Sequence, residues 1–333
     1  MANSIIQKQS PAFTFVFRTH GGSEKQLHDR SHIKSACREI LKRHTADNTD
    51  NYEALAAKCE SLIDKIDFQS GASSLALFVS TEKAEAETFY LFLPEVFYCG
   101  ENFSSLESTY ARQISAPYLY FNFSPAGVDV YLGRGLHTEM LDKSEELQHF
   151  QAVYSKRPIA KCDKDGRKSE GFDHHFHSEL FDAWKKLAYK HAYPCYATGL
   201  ELIGVSLDEV KSFGIDMLYG TGHSAAKGDL KAVLSTLKEE HRNALAKTYA
   251  ERLETAQGAH KLVLSSEEIL DLAKAGQGET LLLEDPEWMV EKEQQFSTIH
   301  EAIAEVVKFH GKVEFMPKSS LAKWGGQALI LRY

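Results

Sequence analysis

Apolar residues recur along this chain with a period of two in some stretches and of three to four in others, and the switches between the two mark its elements. Residues 13–17 (FTFVF) alternate like a strand, and two helical stretches follow at 31–44 and 52–66. Apolar runs at 74–80 (SLALFVS) and 88–93 (TFYLFL) predict two more strands, separated by a Glu-rich turn over 81–87 and closed by Pro94. This first α/β domain is read as residues 1–112.

A second strand group opens at Tyr118 with YLYFNF, turns over 124–127, continues as VDVYLG and adds a third strand at 136–140. Residues 142–172 are polar and read as one long loop, a length that is usually functional or disordered. A helix over 174–191 follows, with Phe176, Leu180, Trp184 and Leu187 on one stripe, and a short segment at 196–205 packs back. The middle domain is thus read as 113–213, and Tyr219-Gly220-Thr221-Gly222 as the turn opening a third domain over 214–333. That domain shows a long helix from 225 to about 256, a helix start at Ser265 with Glu268 at the third helical position, and a strand at 279–283. A helix at 294–309 and strands at 313–315 and 328–332 complete the pattern. The alternation predicts an α/β fold in three domains.

Bulk properties narrow the function. A length of 333 residues suits two or three domains, and 43% hydrophobic with 26% charged residues is an ordinary soluble composition with no run long enough to span a bilayer. The start MANSIIQKQSPAFTF lacks the basic head and apolar core of a secretion signal, so a cytoplasmic protein without membrane contact is expected. Cys37, Cys59, Cys99, Cys162 and Cys195 are odd in number and form no C-x-x-C or paired zinc spacing, which argues against a disulfide framework. The net charge of -9 argues against a general nucleic-acid coat and makes a DNA partner unexpected, but it leaves room for a local basic patch on RNA.

Such a patch is legible. Lys161, Lys164, Arg167 and Lys168, with Lys156 and Arg157 upstream and Gly166 at the tip, form the densest basic stretch outside helices; cations on a glycine-bracketed loop follow phosphates without demanding sequence. The bland alternative is a solvated surface loop. His174, His175 and His177, near Cys162 and Asp173, invite a metal, yet no paired ligand set accompanies them. They read better as first-turn helix surface that hydrogen-bonds or stacks on RNA, with Asp173 as cap, and no metal or cofactor is expected. Nucleophilic catalysis lacks a G-x-S-x-G, and Cys195 between Pro194 and Tyr196 reads as a buried thiol. The YGTGH stretch lacks the Lys-Ser/Thr of a phosphate loop. Tyr118, Tyr120, Phe121 and Phe123 read as core, and Glu239, Glu240, Glu251 and Glu254 as solvated helix faces.

Four pieces of the chain, in order, resemble a known family: the double strand YLYFNFSPAGVDVYLG, the loop and helix over 161–191, the segment SSEEILDLAKAGQGETLLL, and the tail GKVEFMPKSSLAKWGGQALILRY. The chain is similar to bacterial relatives of the archaeo-eukaryotic release factors, a superfamily that includes Pelota-type rescue factors and ribosome-hibernation factors. The resemblance implies an α/β N-terminal domain, a release-factor-like middle domain with a mixed sheet and helices, and an L7Ae-like α/β C-terminal domain. It implies binding at the ribosomal A site through rRNA, with an elongation factor as a further partner. In that family the middle domain carries a Gly-Gly-Gln tip directly before a long helix; the matching stretch here, GRKSEGFDHHFH, has none. The chain's Gly325-Gly326-Gln327 falls instead at the entry to a strand read as an edge strand. The expectation is a non-enzymatic ribosome-binding factor for hibernation or rescue, touching RNA through Lys161, Lys164, Gly166, Arg167, Lys168, His174 and His175. The alternatives are a peptidyl-tRNA or RNA hydrolase built on the His cluster and a partner-binding adaptor.

Overall fold

A computed structural model describes residues 11–20, 23–45, 49–100, 102–157, 174–223, 230–285 and 293–333. Its strands form three sheets, one in each third of the chain, so the α/β class and the three-part layout read from the pattern are what the chain folds into.

The first sheet has the order β3-β2-β1-β4, built from β1 (Ala12–Arg18), β2 (Ser74–Val79), β3 (Ala84–Phe89) and β4 (Val96–Gly100), with neighbours antiparallel. Helices α1 (Ser23–His44) and α2 (Thr49–Lys65) cover one face: Phe13, Phe15, Leu75 and Leu77 pack on Ile33, Leu41, Leu55 and Ile63. The other face buries Val16, Ala76 and Phe78. Both faces being covered explains why β1 and β2 are apolar almost throughout rather than alternating. The Glu-rich stretch read as a turn is mostly β3: Ser80 N donates to Lys83 O at 2.7 Å, and the chain then runs along the sheet edge with Glu85 and Glu87 on its surface. Charge on an edge strand costs little there and discourages further pairing. The TFYLFL run, in contrast, leaves the sheet after Phe89, held by Ser74 Oγ, which accepts from Leu93 N (2.9 Å) and donates to Leu91 O (2.8 Å). Helix α3 (Leu106–Ile114) follows, an element that the sequence pattern does not predict.

The middle sheet has the order β7-β6-β5-β8-β9. A meander of β5 (Pro117–Ser124), β6 (Gly127–Arg134) and β7 (His137–Met140) is antiparallel, while β8 (Cys195–Thr198) and β9 (Met217–Thr221) run parallel to β5. The polar stretch read as one loop contains a helix, α4 (Glu145–Ser155), whose N-cap Ser144 accepts from Leu147 N. Leu147, Phe150, Val153 and Tyr154 go under the sheet beside α5 (His174–His191), which buries Phe176, Leu180, Trp184 and Leu187 as its stripe predicts. Phe121, Phe123, Phe150 and Trp184 form the centre of this core, with ring centroids 4.8–6.4 Å apart. Helix α6 (Leu207–Ser212) starts on a reciprocal Ser206/Glu209 capping box. Tyr219 and Gly220, read as a turn, lie in edge strand β9 of this sheet, pairing with Tyr196 and Ala197. On the opposite face Tyr118, Tyr120 and Tyr196 pack on Leu234 and Leu237 of α7 (Leu230–Gly258).

The third sheet, β10-β13-β11-β12, is formed by β10 (Leu262–Val263), β11 (Gly278–Glu284), β12 (Lys312–Met316) and β13 (Gln327–Leu331). Helices α8 (Ser266–Lys274) and α9 (Glu293–Lys308) pack on one side through Ile269, Ala302, Ile303 and Val306. Ser265 stands at the N-cap of α8 as expected but makes no cap hydrogen bond; its hydroxyl faces Glu267 Oε2 at 3.4 Å. Strand β13 is central rather than an edge, paired with β10 and β11.

By contact the chain divides into two compact units, Met1–Ser115 with Ala246–Tyr333, and Ala116–Leu245. The first unit joins the outer sheets through α3. Leu106 is buried in the third core, and Tyr110 meets Phe315 edge-on at 5.1 Å. The Gln113 amide completes the edge of β12: Oε1 accepts from Phe315 N at 2.8 Å while Nε2 donates to Phe315 O at 3.3 Å and to Glu314 Oε2 at 2.8 Å.

Candidate nucleic-acid interface

Of the residues read from the sequence as RNA contacts, Lys161, Lys164, Gly166, Arg167 and Lys168 lie outside the described residues, as do Cys162 and Asp173. Around that segment the structure places its two flanks. Helices α4 and α5 pack on each other under the middle sheet, which brings Lys156 at the end of α4 and His175 in the first turn of α5 to the same carboxylate. Glu179 Oε2 is 3.9 Å from Lys156 Nζ, and Glu179 Oε1 is 3.4 Å from His175 Nε2. Arg157 lies over the Tyr154 ring at 4.5 Å and donates to the Pro125 carbonyl in the β5–β6 turn. His174 opens α5.

The histidines do not converge. His175 is exposed, whereas His177, two residues on and so on another side of the helix, places Nε2 2.7 Å from the Ile203 carbonyl. Among the described residues no group of three His, Cys, Asp or Glu side chains is placed to hold a metal ion. The described flanks of the segment therefore gather Lys156 and His175 around the Glu179 carboxylate, with Arg157 beside them in sequence, and the two cations can meet a phosphate backbone.

The Gly-Gly-Gln triplet is spent on structure. A short 3₁₀ turn over Ala322–Trp324 leads into Gly325 and Gly326, both left-handed (φ 78° and 85°), a conformation that favours glycine. Gln327 then begins the central strand, its amide donating to Leu264 O (3.1 Å) and Ser266 Oγ (2.6 Å). The side chain thus ties β13 to the start of α8.

Three further groups have the composition of chemistry without its geometry. Ser104, Glu107 and His300 meet in the first unit: Ser104 Oγ lies 2.7 Å from His300 Nδ1 and donates to Glu107 Oε2 at 3.2 Å. A hydrolytic triad needs its carboxylate on the imidazole; here it takes the serine, and all three residues are buried. Burial pushes His300 down to about 4, which keeps its imidazole neutral near neutral pH, and pushes the Glu107 carboxyl up. The Cys195 thiol is pushed up to about 12 by burial, which makes it a packing group as expected. Lys238 of α7 donates to the Gly135 carbonyl at 3.0 Å over the Tyr118 ring, and burial pushes its amine down to about 8; sequence pattern gave no sign of it. Tyr118, Tyr120, Phe121 and Phe123 are buried core, as read. At the end of β9 an open depression of about 440 Å³ is lined by Leu200, Glu201, Gly220 and Gly222. Its charged side chain is a carboxylate, paired with His223 at 3.3 Å, so it does not suit phosphate.

No family model matches the sequence, and no curated protein does. Solved structures do. An archaeal translation termination factor, aRF1, aligns at 16% identity over 97% of this chain and 92% of its own, with a TM-score of 0.26. S. cerevisiae Dom34, a translation termination-like factor involved in RNA quality control and interacting with Hbs1, aligns at 16% over 81% and 82%, with a TM-score of 0.40. Archaeal Pelota, from a model of ribosome-bound Pelota and ABCE1, aligns at 12% over 75% and 72%, with a TM-score of 0.41. The chain is similar to release-factor-like structures. At these identities and TM-scores no residue takes a role from them. No described helix is long and apolar enough to cross a membrane.

Proposed function

We propose that this protein is a cytoplasmic, non-enzymatic ribosome-binding factor of the release-factor type, acting in hibernation or rescue at the A site with an elongation factor as a further partner. The observation that carries the reading is where the glutamine sits. The chain's single Gly-Gly-Gln is built into the central strand of the C-terminal sheet, with the Gln327 amide occupied by Leu264 and Ser266. The stretch that the resemblance matches to a catalytic tip reads GRKSEG, with arginine and lysine in place of glutamine. A segment of that composition suits a phosphate backbone and lacks the glutamine that the resemblance assigns to placing the water. Two further cations, Lys156 and Arg157, stand at its described N-terminal flank.

The test is sedimentation of the full chain with 70S ribosomes in low salt, with and without elongation factor, paired with a peptidyl-tRNA hydrolysis assay. Co-migration without hydrolysis is expected, with Arg167→Glu and Lys168→Glu together weakening it. Absence of co-migration in every condition refutes the reading. Hydrolysis that survives Gln327→Ala and is lost in His174→Ala with His175→Ala establishes the hydrolase alternative instead.

A further inference from the structure

The outer face of α5, toward its C-terminal end, carries Tyr189 and Lys186, both exposed, and the half-buried Lys185. Tyr189 is 84% exposed. Lys185 and Lys186 precede it by four and three residues, the spacings that bring helical side chains onto one face. Within the described residues, none of the three has a hydrogen bond or ion pair. Asp182, one turn before Lys186, forms no ion pair with it either. The cation one residue further on behaves differently: Lys190 is tied to Glu146 at 2.5 Å. Beside Lys185 stands a second aromatic turn. Phe213 is 37% exposed and stacks on Phe181 at 4.1 Å, and a Cβ at the next residue, Gly214, would lie 3.8 Å from Lys185 Cε.

We propose that Lys185, Lys186 and Tyr189 bind a single-stranded RNA segment, one base stacking on the Tyr189 ring and the flanking phosphates meeting the two ammonium groups. Two cations that form no ion pair among the described residues, one exposed and one half-buried, stand beside a solvated ring on a chain of net charge -9 and complement a polyanion that also presents flat apolar faces. An acidic peptide would satisfy the lysines and leave the ring in water, so RNA fits the whole face better. The identity of the RNA as ribosomal rests on the function proposed above; the chemistry of the face does not.

Fluorescence anisotropy of the full chain with a labelled, unstructured twelve-nucleotide uridine-rich RNA, titrated from low to moderate salt, tests this. Tyr189→Ala is expected to weaken binding about five- to hundredfold, the range of a lost base stack, while Tyr189→Phe binds like the wild type. Lys185→Gln with Lys186→Gln is expected to flatten the salt dependence by about 1.4 in log–log slope. Because Tyr189 is exposed, the variants should melt with the wild type, which separates lost binding from lost folding. No binding by the wild type, or binding unchanged in all variants, overturns the site. A polyglutamate peptide bound as tightly, with the same losses, overturns the RNA assignment in favour of an acidic protein. Pelleting with ribosomes is scored separately. If the wild type fails to pellet yet loses oligonucleotide binding on Tyr189→Ala, the ribosome reading falls and the site stands. If it pellets and every variant binds RNA normally, the reverse holds.

Discussion

Replacing Gln113 with leucine removes a side chain that acts as a missing strand. In the wild type, Phe315 N donates to Gln113 Oε1 at 2.8 Å and Phe315 O accepts from Nε2 at 3.3 Å, so one amide serves both backbone groups on the open side of β12. Leucine fills similar volume with no polar atom. Phe315 is buried, and its N–H would be left without a partner at about 1–3 kcal/mol. The bond from Nε2 to the Glu314 carboxylate at 2.8 Å adds about 1 kcal/mol, since Lys312 still pairs with that carboxylate. A total of about 2–4 kcal/mol follows, lowered if water reaches the half-buried site. For a unit of this size that is a drop of roughly 5–15 °C in the melting transition of the unit holding the N- and C-terminal segments. Differential scanning calorimetry reads the shift, and hydrogen exchange at the Phe315 amide reads the local opening. A shift under about 1 °C with the Phe315 amide still protected would refute the role assigned to the glutamine.

The buried histidine gives a pH dependence with a definite sign. Burial lowers His300 from 6.5 to about 4, so between those values the unfolded chain holds the proton more tightly and acidification favours unfolding, by about 3 kcal/mol when complete. Glu107, raised by burial, acts oppositely: its contribution falls as pH rises above 4.5. A His300→Gln variant should therefore lose much of the wild-type fall in thermal midpoint between pH 7 and 5; an identical fall would contradict the assignment. Trp184→Ala empties the centre of the middle core and should cost about 3–5 kcal/mol, seen in circular dichroism as earlier melting of the Ala116–Leu245 unit alone. Cys195 should resist thiol reagents at pH 8 in the folded protein and react on unfolding, followed by mass spectrometry of the labelled peptide.

What the chain's own pattern determined is the set of elements with dense, self-announcing periodicity. Helix α5 appears over 174–191 as its Phe176, Leu180, Trp184 and Leu187 stripe requires, because those four side chains fill a core wherever they are placed. Strands β1, β2, β5 and β6 follow in the same way from apolar runs too short for helices. The burial of Cys195 and of the Tyr118–Phe123 aromatics was legible from their neighbours. Elements whose stability comes from a partner were not. Helix α4 has its Leu147, Phe150, Val153 and Tyr154 among polar residues and becomes helical because the underside of the middle sheet is there to receive them. The acidic strand β3 and the glycine-bearing strand β9 are edge strands, each paired with one neighbour and contributing one buried apolar side chain, Phe89 and Met217, too little for a periodic signal. The same division applies to chemistry. Spacing proposed a histidine cluster, but helix geometry turned His175 and His177 apart. The Ser104, Glu107 and His300 network joins residues 196 positions apart in the sequence, which no local pattern can reveal, and only packing decided that a triad's ingredients would be buried as a structural tie.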